Sequence, residues 1–254
     1  GILNVTPDSF FENSRLHSFK EVIDRAQQMI EEGATVLDIG GHSTRPNAAP
    51  VSQEEEIQRV VPIVEMLQNE LPEAIISVDT YRLEVAKQAI KAGAHIFNDI
   101  GCGNMDEGIF EWVGENNIPY VLSHSIGSID EVHKLTNYLN IIEDVILELS
   151  EKVHLLRKLG NSNLIVDPGL GFSKTLDQNY QLLANLDQFQ VIGAPILVGV
   201  SRKSMICKLL QIKPEEALNG STALHMAALM KGANMLRVHD VKAAKELDLV
   251  WKGN

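Results

Sequence analysis

Cysteine is nearly absent: 254 residues carry only Cys102 and Cys207. Two such residues build no disulfide framework, and no His/Cys/Asp spacing of the zinc-site type occurs. A reduced, cytoplasmic protein is therefore expected. Positive charge is scarce as well. With 22 Lys and Arg against 34 Asp and Glu, the formal net charge is −12, which argues against nucleic acid and anionic membranes as partners. No apolar run reaches membrane-spanning length, and no signal peptide is visible. The chain starts at Gly1 rather than Met, so a few preceding residues and a clipped first strand are expected. Linkers and low-complexity stretches are lacking. Ser201 and Ser204 sit in no elbow motif that would make either a nucleophile.

What the chain does carry is a repeated device. Val36-Leu-Asp-Ile-Gly-Gly-His-Ser-Thr-Arg-Pro46 is a short apolar strand that ends in Asp38, breaks at Gly40-Gly41 and opens into a loop with Thr44, Arg45 and Pro46. Ile75–Asp79, His95–Asp99, Leu164–Asp167 and Met235–His239 are likewise apolar runs closed by polar or ionisable residues. Parallel strands covered on both faces read as apolar, so polar residues collected at one end of successive strands predict one shared face. In a closed barrel that face is where catalysis is built.

Helical segments alternate with these strands. Ser18-Phe-Lys-Glu21 and Ser52-Gln-Glu-Glu55 are capping boxes ahead of apolar residues at helical spacing. Gly33-Ala34, Gly93-Ala94 and Gly232-Ala233 end three helices with a left-handed stop. Strands are predicted at 1–5, 35–39, 75–79, 95–98, 119–124, 164–167, 195–200 and 234–238. Helices are predicted near 18–32, 52–69, 82–92, 106–116, 138–159, 177–187, 203–231 (broken near Pro214) and 241–251. Eight strands alternating with eight helical segments, about 32 residues per unit, predict an α/β fold of the (β/α)8 TIM-barrel type, with residues 1–254 as a single domain. A doubly wound open sheet is the alternative.

The strand ends sort into three groups. Asn4 closes strand 1; its amide oxygen suits a hard cation or an oriented ligand, the plainer alternative being a loop cap. The loop from Thr6 to about His17 is long for its place and reads as a lid. Asp79, Asn98 and Asp167 end strands 3, 4 and 6 and would bring two carboxylates and an amide into the barrel mouth. Those acceptors suit a flat heterocycle with several N–H donors, of the guanine or pterin type. Helix capping, or for Asp167-Pro168 a simple turn, is the plainer reading. The third group is cationic. Ser201-Arg-Lys-Ser204 follows strand 7, and Arg237-Val-His239 sends two side chains to one side of strand 8. With Arg45 these residues stand out against the acidic chain, and loops after strands 7 and 8 of a barrel commonly bind phosphate. Cations at a helix start are disfavoured by the helix dipole unless an anion is near, so an anion site is expected there. His124 closes strand 5 and is placed beside the site, whereas His133, His154 and His225 read as helical or surface positions.

In order along the chain, Gly1-Ile-Leu-Asn-Val-Thr-Pro-Asp-Ser-Phe10, Asp38-Ile-Gly-Gly-His-Ser-Thr-Arg-Pro46, Ser77-Val-Asp-Thr80, Asn98-Asp99, Asp167-Pro-Gly-Leu-Gly-Phe172, Ser201-Arg-Lys203 and Arg237-Val-His239 closely resemble the dihydropteroate synthase family. The resemblance runs over essentially the full length. It implies condensation of 6-hydroxymethyl-7,8-dihydropterin pyrophosphate with 4-aminobenzoate to 7,8-dihydropteroate in folate biosynthesis, with pyrophosphate released. Carried over by position, Asp79, Asn98, Asp167 and Lys203 would hold the pterin. Thr44, Arg237 and His239 would contact the pyrophosphate, and Asn4 would help ligate Mg²⁺. Phe10, Thr44, Pro46, Phe172, Lys203 and Ser204 would frame the aminobenzoate pocket, where sulfonamides would compete. Asp79, Lys203 and Arg45 are the expected catalytic residues. Arg45, with Arg237, His239 and Mg²⁺, would stabilise charge on leaving pyrophosphate, and Asp79 would favour a pterin methylene cation. The arylamine needs no strong base. The family also implies a homodimer.

Two positions depart from the family pattern. Phe11-Glu-Asn-Ser-Arg15 stands where many members have Ser-Asp-Gly-Gly, so Glu12 would take the acidic role. Strand 5 ends Leu122-Ser-His-Ser125, where Ser123 gives a smaller, more polar wall than the usual Met. A pterin-dependent corrinoid methyltransferase and a non-catalytic pterin-binding relative are the alternative functions. The methyltransferase would need neither Ser43-Thr-Arg-Pro46 nor Arg237-Val-His239, having no pyrophosphate to hold.

Overall fold

The apolar runs form short parallel strands, and the computed structural model describes residues 1–5, 15–42, 51–129, 131–132 and 134–253, with residues 15–18 as backbone alone. The strands are β1 (Ile2–Asn4), β2 (Val36–Gly40), β3 (Ile75–Thr80), β4 (Ile96–Asp99), β5 (Tyr120–Ser123), β6 (Leu164–Asp167), β7 (Leu197–Val198) and β8 (Met235–Leu236). The helices are α1 (Arg15–Glu31), α2 (Gln53–Glu70), α3 (Leu83–Lys91), α4 (Ile109–Glu115), α5 (Ile141–Lys158), α6 (Leu176–Ala184), α7 (Ser204–Leu210), α8 (Leu218–Met230) and α9 (Val241–Lys252). Strands β1 to β6 pair in sequence order, and β7 pairs with β8. A parallel bridge between Val166 and Ile196 joins β6 to β7. The Ile2 N–H donates to the Val238 carbonyl at 2.9 Å and closes β8 onto β1. The fold is the predicted (β/α)8 TIM barrel.

Local chemistry sets the element ends. Ser52 caps α2 as expected, its Oγ accepting from the Glu55 N–H at 3.1 Å. The Glu55 carboxylate turns to Arg59 instead of reaching back to the cap. Ser18 does not cap α1, because the helix already begins at Arg15 and continues through good helix formers. The full capping box belongs to α6: Thr175 Oγ1 accepts from the Gln178 N–H at 3.2 Å, and Gln178 Oε1 accepts from the Thr175 N–H at 2.8 Å. The predicted break at Pro214 appears as a 3-10 turn over Pro214–Glu216 between α7 and α8. β7 and β8 are shorter than the sequence suggests, for two local reasons. The Asn234 Oδ1 takes the Ile196 N–H at 2.8 Å at one end, and the Lys203 N–H closes a turn on the Val200 carbonyl at 3.1 Å at the other.

Alternation along the strands builds an apolar layer between sheet and helices. Leu37, Ile39, Ile76, Val78, Phe97 and Tyr120 are buried beneath the helices, where the Phe97 and Tyr120 rings meet edge to face at 5.3 Å. Each such side chain contributes roughly 1.5–3 kcal/mol on burial. The opposite faces point into the barrel, and the ladder register aligns them in rows. Asn4 pairs with Gly40, Gly40 with Asp79, and Asp79 with Asn98. Two residues lower, Ile2 pairs with Asp38, and Asp38 with Ser77. The polar strand ends thus form a rim with a second polar layer under it. Among the described residues, no helix is long and apolar enough to cross a membrane.

Candidate active site

Asp38 is the floor of the barrel mouth. Its carboxylate accepts from Arg237 Nε at 2.6 Å and from Asn98 Nδ2 at 3.3 and 3.2 Å. With Nδ2 committed to Asp38, the Asn98 amide turns its carbonyl oxygen the other way. Arg237 also pairs through Nη2 with Asp79. One guanidinium therefore serves two buried carboxylates, and it does not serve them equally. Asp38 is disfavoured as an anion by burial, yet Arg237 and the Ser77 hydroxyl hold its pKa below the usual carboxylate value. Burial pushes Asp79 up to about 7 against the pull of Arg237, with the neighbouring carboxylates Asp38 and Glu56 adding to the rise. The second oxygen, Asp79 Oδ1, is buried and has no hydrogen-bond partner among the described residues. A ligand N–H would satisfy it.

The remaining groups converge from β6, β7 and the loops beyond them. Lys203 Nζ lies 4.8 Å over the Phe172 ring and donates to the Leu170 carbonyl. Its pKa is lowered to about 8, by burial first, with Asp167 and Asp79 opposing the fall. A Cβ built on Gly199 would stand 3.6 Å from Lys203 Nζ and 3.7 Å from Arg237 Cβ, so both cations flank one bare stretch of backbone. Asp167 accepts from the Gly169 N–H at 2.7 Å, which is the turn role anticipated as the plainer reading. Burial nonetheless raises its pKa, with Lys203 the main counterweight. Ser123 is buried and pairs in register with Asp167. Ser204, the first residue of α7, is exposed. His239 Nδ1 lies 3.1 Å from Ser201 Oγ.

Several expectations change. Asp99 turns away from the mouth and organises the loop after β4, accepting from the Gly101 and Gly103 N–H groups at 2.6 Å. Arg202 is not an open cation, because Asp240 holds it in an ion pair. His124 does not line the rim. It is fully buried, with Nδ1 2.9 Å from Lys174 Nζ and Nε2 3.2 Å from Glu148. Burial lowers its pKa to about 4 and that of Lys174 to about 7. His225 lies on α8, the helical one of the two alternatives, and is buried there. Phe10, Glu12, Thr44, Arg45, Pro46 and His133 lie outside the described residues. Asp38 was legible as an inward residue two places before Gly40, but its role as the anchor of Arg237 and Asn98 depends on contacts across the barrel. Lys174 carried no signal beyond its place after Phe172.

Cys102 and Cys207 form no disulfide, and burial pushes the Cys102 thiol up to about 11. Among the described residues, no group of three or more His, Cys, Asp or Glu could hold a metal. One oxygen donor does stand at the rim. The position of a Cβ on Gly40 would be 3.5 Å from Asn4 Oδ1 and 3.6 Å from Asp79 Oδ2. Mg²⁺ keeps several waters and takes one or two protein oxygens together with substrate phosphate, so a lone amide oxygen beside a carboxylate fits that mode.

The pterin binding enzyme family matches residues 1–239. The dihydropteroate synthase of Escherichia coli (strain K12) is 44% identical over 248 residues, covering 97% of this chain and 87% of that protein. The Yersinia pestis dihydropteroate synthase in complex with a sulfonamide drug superposes with a TM-score of 0.91 at 39% identity, over 100% of this chain and 92% of that one. The Xanthomonas albilineans dihydropteroate synthase with 4-aminobenzoic acid gives 0.89 at 38% identity, over 100% and 91%. The chain therefore belongs to the pterin-binding enzyme family, among the dihydropteroate synthases, which are transferases of folate biosynthesis.

Proposed function

We propose that the barrel mouth condenses 6-hydroxymethyl-7,8-dihydropterin pyrophosphate with 4-aminobenzoate. The carbon–oxygen bond to pyrophosphate breaks, the carbon–nitrogen bond to the arylamine forms, and the amine gives up a proton. The observation that carries this reading is the buried Asp79 Oδ1, without a partner among the described residues, in one row with Asn98 and beside Lys203 and Arg237. Asp79, Asn98 and Asp167 offer the acceptors for the pterin N–H donors. Lys203 supplies a donor for the ring carbonyl and packs its charge on Phe172, which frames the aminobenzoate pocket with Ser204, Phe10, Thr44 and Pro46. Arg237, His239, Thr44 and Arg45 receive the pyrophosphate. Asn4 would take Mg²⁺, whose charge favours departure of pyrophosphate when it is bound. The activated carbon does the rest, since an arylamine is already nucleophilic.

The pterin assignment is tested by titration with a pterin that lacks the diphosphate. Asp79→Ala and Asp167→Ala should each weaken binding by ~1.5–3 kcal/mol, the scale of a hydrogen bond to a charged group. Unchanged affinity would leave Asp79 as the counter-ion of Arg237 and Asp167 as a turn cap only. The same titration carries a pH signature. N–H donors need the Asp79 carboxylate, and its raised pKa makes the empty site protonated below about 7. Binding must then release a proton. Affinity should fall about tenfold per pH unit below that value and level off between about 7 and 8, above which Lys203 loses its charge; Arg237 and Lys203 stay charged in the acid range. Affinity that rises on acidification would show the protonated acid donating to the ring instead. The titration is run without Mg²⁺.

A cytoplasmic homodimer completes the reading. Support comes from α8, which leaves Leu218 and Met230 exposed, while the preceding helix α7 ends in exposed Leu209 and Leu210.

A further inference from the structure

The backbone ladder between β7 and β8 is only two residues long, Leu197 to Met235 and Val198 to Leu236. One more hydrogen bond, from the Arg237 N–H to the Val198 carbonyl at 2.9 Å, ends it. Two side-chain rungs then continue the pairing across the loops. Ser201 Oγ accepts from the His239 N–H at 3.1 Å and lies 3.1 Å from its Nδ1. One residue further on each side, Arg202 donates to Asp240 from Nε at 2.9 Å and from Nη2 at 2.5 Å.

Arg202 is also held by its backbone. It has φ 55°, a left-handed conformation that a non-glycine residue adopts only when its surroundings impose it. Its N–H donates to Ser221 Oγ on α8 at 2.9 Å, and Ser221 Oγ in turn donates to the Ala217 carbonyl at 2.7 Å. The left-handed residue reverses the chain so that Lys203 starts extended and carries its Nζ over Phe172. On the other loop, Arg25 of α1 donates to the His239 carbonyl at 3.2 Å. Every anchor of these two loops therefore stands beside a residue assigned to substrate, and Arg202 spends its charge on Asp240.

Resting on the function proposed above, we propose that Arg202 and Asp240 are positioning residues: their two-pronged ion pair locks the loops after β7 and β8 together and sets Lys203 and His239 for a diphosphate-bearing substrate, and Arg202 does not bind the anion itself. A planar guanidinium gripping both carboxylate oxygens fixes direction as well as distance, which is the property needed once the backbone ladder has stopped.

The test compares Arg202→Gln, Asp240→Asn, the double variant of these, and the reversed pair Arg202→Asp with Asp240→Arg. Asp tolerates left-handed backbone, so the reversed pair keeps the turn. Binding of inorganic pyrophosphate with Mg²⁺ is measured by calorimetry, and KM and kcat are measured for the pterin pyrophosphate. Both single variants should weaken pyrophosphate binding about tenfold and raise KM by a like factor with little change in kcat. The double variant should be no worse than either single, and the reversed pair should recover most of the loss. Binding of a pterin without diphosphate, which Lys203 also holds in that reading, should weaken in the single variants and recover in the reversed pair, and an unchanged far-ultraviolet circular dichroism spectrum shows that the variants are folded. If Asp240→Asn leaves pyrophosphate binding unchanged or tighter while Arg202→Gln weakens it, Arg202 grips the anion directly and the clamp is wrong. Additive losses, or no pyrophosphate binding by the wild type, also overturn it. Wild-type turnover is scored separately: no product with the predicted binding pattern intact would sink the proposed reaction and leave the clamp standing.

Discussion

Arg237→Ala should destabilise the protein by roughly 3–5 kcal/mol at neutral pH, because it leaves buried carboxylates without their counter-charge. The wild-type arrangement makes the sign of the pH dependence explicit. Asp38 has its pKa depressed by Arg237, so its contribution is present above the unfolded value and is lost as pH falls through the folded one. Without Arg237, burial dominates for both Asp38 and Asp79, and their folded pKa values rise. The folded variant then binds more protons than the unfolded chain, and its stability must drop as pH increases. The gap between wild type and variant should accordingly be widest near neutrality and narrow toward about pH 5. Urea unfolding across that interval measures it. A gap that does not change with pH would mean that Arg237 contributes packing and not charge.

Gly169→Ala is the second large effect. Gly169 has φ 70°, and a Cβ there would lie 1.8 Å from the His124 carbonyl oxygen and 2.9 Å from its carbon. The obstacle is backbone at the end of β5, so no rotamer change relieves it. The expected loss is roughly 3–4 kcal/mol, the sum of a left-handed penalty and a forced shift of two elements. Pterin affinity should fall with it, since the Gly169 N–H is bound to Asp167. Gly171→Ala provides the contrast. Its φ is 91°, but the nearest atoms a Cβ would meet all belong to the Lys203 side chain, Cδ at 3.0 Å, Nζ at 3.6 Å and Cε at 3.7 Å. A cost of about 1–2 kcal/mol is expected there. Denaturant unfolding of the two variants reads the difference directly.

Much of this site is visible in the chain before any fold is known, and the reason is geometric. A strand places alternate residues on one face, so Asp79, Asn98 and Asp167 at the ends of apolar runs had to share the barrel mouth once the strands were parallel and closed. Arg237 and His239 followed the same alternation. What escaped sequence reasoning was decided by contacts between distant segments. Asp38 anchors Arg237, 199 positions away, and that pairing leaves no local trace. Arg202 looked like part of an anion site because its neighbours are basic, and Asp240, which neutralises it, stands 38 positions on, after the neighbouring strand β8. His225 was legible as helical but its burial was not, because the polar residues of α8 are scattered round the helix and form no stripe against which a buried position stands out. Asp99 and Asn98 are adjacent in sequence and face opposite ways, so only the strand register separates a loop anchor from a ligand acceptor.

The central claim is that this barrel couples departure of pyrophosphate to attack by 4-aminobenzoate. A single-turnover experiment with the pterin pyrophosphate, following pyrophosphate and 7,8-dihydropteroate together, tests it most directly. The account predicts that both appear in equal amounts, that release requires 4-aminobenzoate, and that a sulfonamide suppresses dihydropteroate formation in competition with 4-aminobenzoate. Pyrophosphate that never appears, or that appears at the same rate with 4-aminobenzoate left out and no dihydropteroate formed, would contradict it.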